Sequence, residues 1–143
     1  MDSVSTDEAY QDQILPHVSR TFALTIPQLP QGLRKAVTCA YLLCRIADTI
    51  EDEPALPPAA TLAFLQRFSA VLAGDGDSKV LALEIAQRLS DRTLPTERDL
   101  VSNMDRVIGV MMGLNAAQRA AIQRCVELMC YGMPRFQFSA SLE

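Results

Sequence analysis

Several signals are scarce or missing in this chain, and each absence removes a class of function. Only six glycines occur in 143 residues, and no window alternates apolar and polar residues as a strand would. The glycine-containing loop "GDGDSK" has neither the spaced oxygens and closing Glu of an EF-hand loop nor the GxxxxGK[ST] phosphate loop, and reads as an ordinary turn. One histidine is present, His17, which reads as a surface or capping residue. The four cysteines, Cys39, Cys44, Cys125 and Cys130, make no CxxC motif. A separation of five turns a helix by about 140°, so the thiols within a pair do not share a face, and small buried core residues are expected.

Basic residues are scattered and the net charge is −4, which argues against nucleic-acid binding. The acidic start "MDSVSTDEAY" lacks the apolar stretch of a secretory signal, and the longest apolar runs, "CAYLLC" and "VIGVMMGL", are too short to span a bilayer. A cytoplasmic location is expected. Hydrophobic residues make up 49% of the chain, enough for one core and about one domain.

What remains is helical, and the fold class expected is all-α. Thr6 is placed to cap a first helix over residues 7–15, which Pro16 should weaken. After an irregular stretch bounded by Pro27 and Pro30, a long helix is expected from about Gln31 to Asp52. Further helices are expected over 59–73 and from Ser78 to about Ser90. Another should start at a Thr96/Asp99 capping signal and run through about Met112, and a last one should follow Asn115/Gln118 to about Met133.

The long helix carries the chemistry. With Tyr41 at 0° on a helical wheel, Arg45 falls near 40°, Asp48 near −20° and Asp52 near 20°, with Glu51 at about −80°. The rest of the surface is almost entirely apolar, including Ala36, Val37, Ala40, Leu42, Leu43, Cys44, Ile46, Ala47 and Ile50. Such a helix is normally buried, and unpartnered buried carboxylates cost several kcal/mol each. Either the stripe faces water, with Arg45 as an i,i+3 partner of Asp48, or a cation is held there. Hard carboxylate oxygens suit Mg²⁺, which takes one or two carboxylates together with substrate phosphates.

The stretch "DTIED" (Asp48 to Asp52) resembles the first aspartate-rich motif of the squalene/phytoene synthase family. "SRTF" (Ser19 to Phe22), the whole segment "YLLCRIADTIEDE" and "GMPRF" (Gly132 to Phe136) resemble further family elements, in the same order. The resemblance implies an all-α class I synthase fold and head-to-head condensation of two prenyl diphosphates. It makes Asp48, Glu51 and Asp52 metal-binding and Ser19, Arg20, Phe22 and Arg45 substrate-binding. Tyr41 and Arg45 become the catalytic pair, with Tyr41 facing the reaction centre.

Farnesyl diphosphate is the substrate expected, giving presqualene diphosphate and squalene, with Mg²⁺ as cofactor and NADPH only if squalene is the product. The alternatives are phytoene synthesis from geranylgeranyl diphosphate, or a non-catalytic module that binds prenyl diphosphate and Mg²⁺. No second aspartate-rich motif follows in these residues, so residues 1–143 are expected to be a single partial domain, the N-terminal half of the family pattern. Apolar surface left uncovered would then favour self-association or contact with a membrane face.

Overall fold

The computed structural model describes residues 3–19 and 31–142, with side chains described within 6–19 and 32–130. All regular structure in these residues is helical, in the order α1 (Ser3–Val18), α2 (Gln31–Asp52), α3 (Pro58–Leu72), α4 (Ser78–Arg88), α5 (Pro95–Ser102), α6 (Met104–Met112) and α7 (Ala116–Leu142). Helix α2 lies at the centre and packs against α1, α3, α5, α6 and α7. Its Cys39, Leu42, Leu43, Ile46, Ala47 and Ile50 are fully buried, as the apolar belt in the sequence requires. Phe68 and Leu65 of α3, Ile85 of α4, Leu100 and Val101 of α5, Met104 and Met111 of α6 and Val126 of α7 complete the core around it.

Local chemistry sets where the helices begin. Pro58 and Pro95 occupy first turns, where the missing N–H costs nothing. Asp77 Oδ1 accepts from the backbone N–H groups of Lys79 and Val80 at 2.9 and 3.2 Å and so caps α4. The preceding turn passes through Gly74 and Gly76 at φ 99° and 103°, a region open to glycine, so "GDGDSK" is a turn as expected. Asn115 Oδ1 accepts from Gln118 N–H at 2.8 Å, the start expected for α7.

Three boundaries differ from the sequence reading. Helix α1 runs through Pro16, and Thr6 lies inside it. The proline falls in the final turn, and the Ser19 N–H still reaches Leu15 O at 2.8 Å. The Thr96 region holds two helices rather than one. Leu94 stands at the N-cap of the first, and Asn103, at φ −111° and ψ 23°, separates the two. Asn103 Nδ2 donates to Asp99 O and Oδ1 at 2.9 and 2.8 Å, a local side-chain bond that competes with helix continuation. Finally, α7 extends well past Met133.

The link between α4 and α5 is gripped from two sides. Arg98 donates to the carbonyls of Ala86 and Ser90 at 3.2 and 2.8 Å, closing the end of α4. Glu53, one residue beyond α2, is 4% exposed and accepts from Ala55 N–H, Ser90 N–H and Thr93 Oγ1 at 2.8, 2.8 and 2.7 Å. Burial alone would raise its carboxyl, but these bonds outweigh burial and bring it down from 4.5 to about 2. A depressed carboxyl stabilises fully above 4.5, and the contribution is lost as pH falls towards 2. Glu53→Ala should therefore cost about 3 kcal/mol by urea denaturation at neutral pH. The gap from the parent chain should close on acidification below 4.5; a gap that does not change with pH would mean that the bonds to the charged form carry none of the stability.

Candidate functional site

The four acids between Asp48 and Glu53 have two different fates. Glu53 is turned inward and fully bonded, as described. Asp48 and Glu51 are half-buried and Asp52 is exposed, so these three form the polar edge of an otherwise buried helix. Thr49 between them is buried and donates from Oγ1 to Arg45 O at 3.0 Å, which keeps its hydroxyl within its own helix.

Among the described residues the stripe is short of positive charge. Burial, and next the charge of Asp52, push the Asp48 carboxyl above its ordinary range; Arg45 opposes the shift and Glu97 adds to it. Glu51 is also raised, by burial and then by Asp52 and Asp48. Arg45 forms its ion pair with Glu97, in the first turn of α5 and 52 residues away, rather than with Asp48 one turn along its own helix. Burial of both partners makes this pair less screened than a surface ion pair. The Arg45 Nε–H is buried and has no acceptor among the described residues.

Tyr41 ties a second segment to the stripe. Its hydroxyl donates to Val18 O at 3.4 Å, at the long end for such a bond, so the C-terminal end of α1 and half-buried Ser19 lie beside α2. Arg20 and Phe22 lie outside the described residues, and the Gly132–Phe136 element lies in the part of α7 whose side chains are not described. Of the residues expected at the site, Tyr41, Arg45, Asp48, Glu51 and Asp52 share α2, and Ser19 is brought near by Tyr41.

Glu97 was not legible in the sequence. In "PTERD" it reads as an acid in a helix's first turn, where any carboxylate is favourable. The expectation of four buried cysteines is also corrected: Cys39 and Cys130 are buried, Cys44 is half-buried and Cys125 is exposed.

Among the described residues, no three His, Cys, Asp or Glu side chains converge as a closed metal site. The arrangement fits Mg²⁺ in its more usual form, on one or two carboxylates with water and phosphate oxygens filling the remaining positions. Asp48 and Asp52 are the carboxylates that could hold it, beside a buried Arg45 Nε–H that has no acceptor among the described residues.

Comparison with known proteins decides the ancestry of this arrangement. The family model described as squalene/phytoene synthase matches residues 15–140. The chain belongs to the squalene/phytoene synthase family. It is 32% identical over 123 residues to squalene synthase of Schizosaccharomyces pombe, covering 85% of this chain and 24% of that protein. It is 30% identical over 129 residues to lycopaoctaene synthase of Botryococcus braunii, covering 86% of this chain and 25% of that one. A solved squalene synthase structure, TcSQS with the ligand BPH1237, superimposes with a TM-score of 0.77 at 29% identity, over 92% of this chain and 36% of that one. The chain therefore spans about a quarter of the length of these curated relatives. The all-α class I synthase architecture expected from the sequence is the one found.

Raised carboxyls signal a charged form that folding disfavours. Through the window above the ordinary 3.8 of Asp48, the folded chain holds the proton more tightly, so stability falls as pH rises. With no divalent cation present, Asp48→Asn should raise stability at neutral pH by about 0.5 kcal/mol, the size of a misplaced charge near a helix C-terminus. Denaturant midpoints of the two chains in a chelating buffer measure this. A destabilised variant would show that Asp48 holds the fold together instead of burdening it.

Proposed function

We propose that the stripe on α2 is the diphosphate-binding half of a prenyltransferase site of the squalene-synthase type, acting on farnesyl diphosphate. The observation that carries this reading is the pairing of surplus negative charge at Asp48 and Asp52 with the open Nε–H donor of Arg45. An anion alone would be repelled by the carboxylates and a cation alone would leave the Arg45 Nε–H without an acceptor, so a metal diphosphate satisfies both. Mg²⁺, when bound, neutralises charge on the leaving diphosphate. Asp48 and Asp52 would hold it, with Glu51 at the margin.

The chain's own residues do the remaining work. Arg45 donates to a diphosphate oxygen, with Ser19 and Arg20 as further donors. Separating an allylic group from diphosphate develops charge that such donors stabilise more strongly where water is excluded. The buried apolar wall of α2 around the stripe limits water on that side. Tyr41 stands one turn before Arg45 and would face the developing cation with its ring and hydroxyl, and Phe22 would cover the prenyl chain.

Squalene is the product favoured over phytoene, since squalene synthases stand among the relatives, and NADPH would be the reductant for that product alone. Lycopaoctaene synthase is similar to the same residues, so similarity over them does not by itself choose the product. A second reading is a module that binds without turnover; one aspartate-rich motif within residues 1–143 favours it for these residues by themselves. A cytoplasmic setting is part of the proposal, with self-association or contact with a membrane face through exposed Leu83, Leu94 and Leu128. No helix among the described residues is long and apolar enough to cross a membrane.

Titration calorimetry with a non-hydrolysable farnesyl diphosphate analogue, with and without Mg²⁺, tests the reading. Binding should require Mg²⁺ and weaken about ten-fold or more in Asp48→Asn and in Asp52→Asn, the loss of a charge-assisted contact, with helicity unchanged. Equal affinity in both variants would remove the metal assignment. Metal-dependent binding without condensation would support the module reading.

A further inference from the structure

Arg45 has two candidate carboxylates to pair with. Asp48 lies one turn along the same helix, at the i,i+3 spacing where opposite charges on a helix surface meet. Glu97 lies on α5, 52 residues away, and accepts from Arg45 Nη2. The side chains of Arg45 and Glu97 are 28% and 17% exposed, so this pair is drier than a surface ion pair. The bond leaves the Arg45 Nε–H buried and without an acceptor among the described residues. A guanidinium is a rigid plane, so a partner that fixes one Nη restrains the directions of the other N–H groups.

Glu97 is itself well anchored. It lies in the first turn of α5, two residues after Pro95, where the positive end of the helix favours a carboxylate. The link before it is tied down by Glu53, through Ser90 N–H and Thr93, and by Arg98, through Ser90 O. A pair between Arg45 and Asp48 would lie on one helix surface with no such anchor. It would also tie the carboxylate that could hold Mg²⁺ to the donor that could meet phosphate.

We propose that Glu97 is a positioning residue: from α5 it holds the Arg45 guanidinium off Asp48, leaving Asp48 free for the metal and Arg45 Nε–H free for a diphosphate oxygen. The proposal rests on the diphosphate reading of the stripe. Glu97 acts through Arg45 in this role, and its charge alone would act the other way. Once the metal is saturating, a further carboxylate repels a bound anion, so its removal would tighten binding if charge were all that mattered. Positioning predicts that removal weakens it.

Two measurements on the whole chain test this. Without metal or ligand, the Arg45 Nε–H signal, assigned by its loss in Arg45→Gln, should relax with the rigid backbone in heteronuclear NMR. In Glu97→Gln it should become mobile. By titration calorimetry at saturating Mg²⁺ with the non-hydrolysable farnesyl diphosphate analogue, Glu97→Gln should weaken binding about ten-fold, the loss of one charge-assisted contact. In an Arg45→Gln background the same change should cost nothing further. An Arg45 signal as ordered in Glu97→Gln as in the parent chain would overturn the proposal. So would an affinity that holds or tightens in Glu97→Gln, or an equal loss with and without Arg45. A parent chain that binds no analogue, with Arg45 freed in Glu97→Gln as stated, would instead overturn the diphosphate reading and leave the hold of Glu97 on Arg45 in place.

Discussion

Helix α2 has to be buried on most of its circumference and must still present carboxylates to water along one edge. Both demands come from the same 22 residues, and the remaining helices are arranged around them. Helices α1, α3, α5, α6 and α7 supply the apolar contacts. Among the described residues, none of them covers the edge that holds Asp48 and Asp52 with cations, and Arg45, the basic residue of that edge, is drawn to Glu97. The charge imbalance is therefore built by tertiary packing as much as by sequence, since α5 brings a further acid where a base would have settled the stripe.

The two acids that end the stretch, Asp52 and Glu53, are neighbours in the chain but belong to different systems. At Asp52 the helix still presents the polar edge. One residue on, the backbone leaves the helix and the Glu53 carboxylate turns inward to collect donors from the α4–α5 link. The same link is fastened by Arg98, and it leads directly into the turn that bears Glu97. Position at the site thus depends on hydrogen bonds made at its rear.

Much of this could be read from residues alone. The bounds of α2, its burial and its polar edge follow from period and composition, because a 3.6-residue repeat sorts side chains without reference to any partner. The helix expected over 59–73 is found one residue earlier, over Pro58–Leu72. Readings that failed needed information from far along the chain. Nothing near Glu97 shows that it meets Arg45. Pro16 and Thr96 failed differently, since a proline in a last turn is tolerated and a proline at the first position of α5 took over the role assigned to Thr96 as a start signal. Glu53 looked like one more acid of a crowded run until its donors from Ser90 and Thr93 were in view.

The clasp on the α4–α5 link has a consequence for how such a chain can change over generations. Surface links usually drift freely, since their side chains answer to water alone. Here Ser90 and Thr93 answer to a buried carboxylate, whereas Asp91 and Arg92 between them are exposed. Replacements at 91 and 92 should accumulate almost neutrally. Those at 93 would be filtered by their effect on a helix terminus 40 residues earlier in the chain. A four-residue stretch of surface thus carries two evolutionary clocks, and the slower one is set by the end of α2.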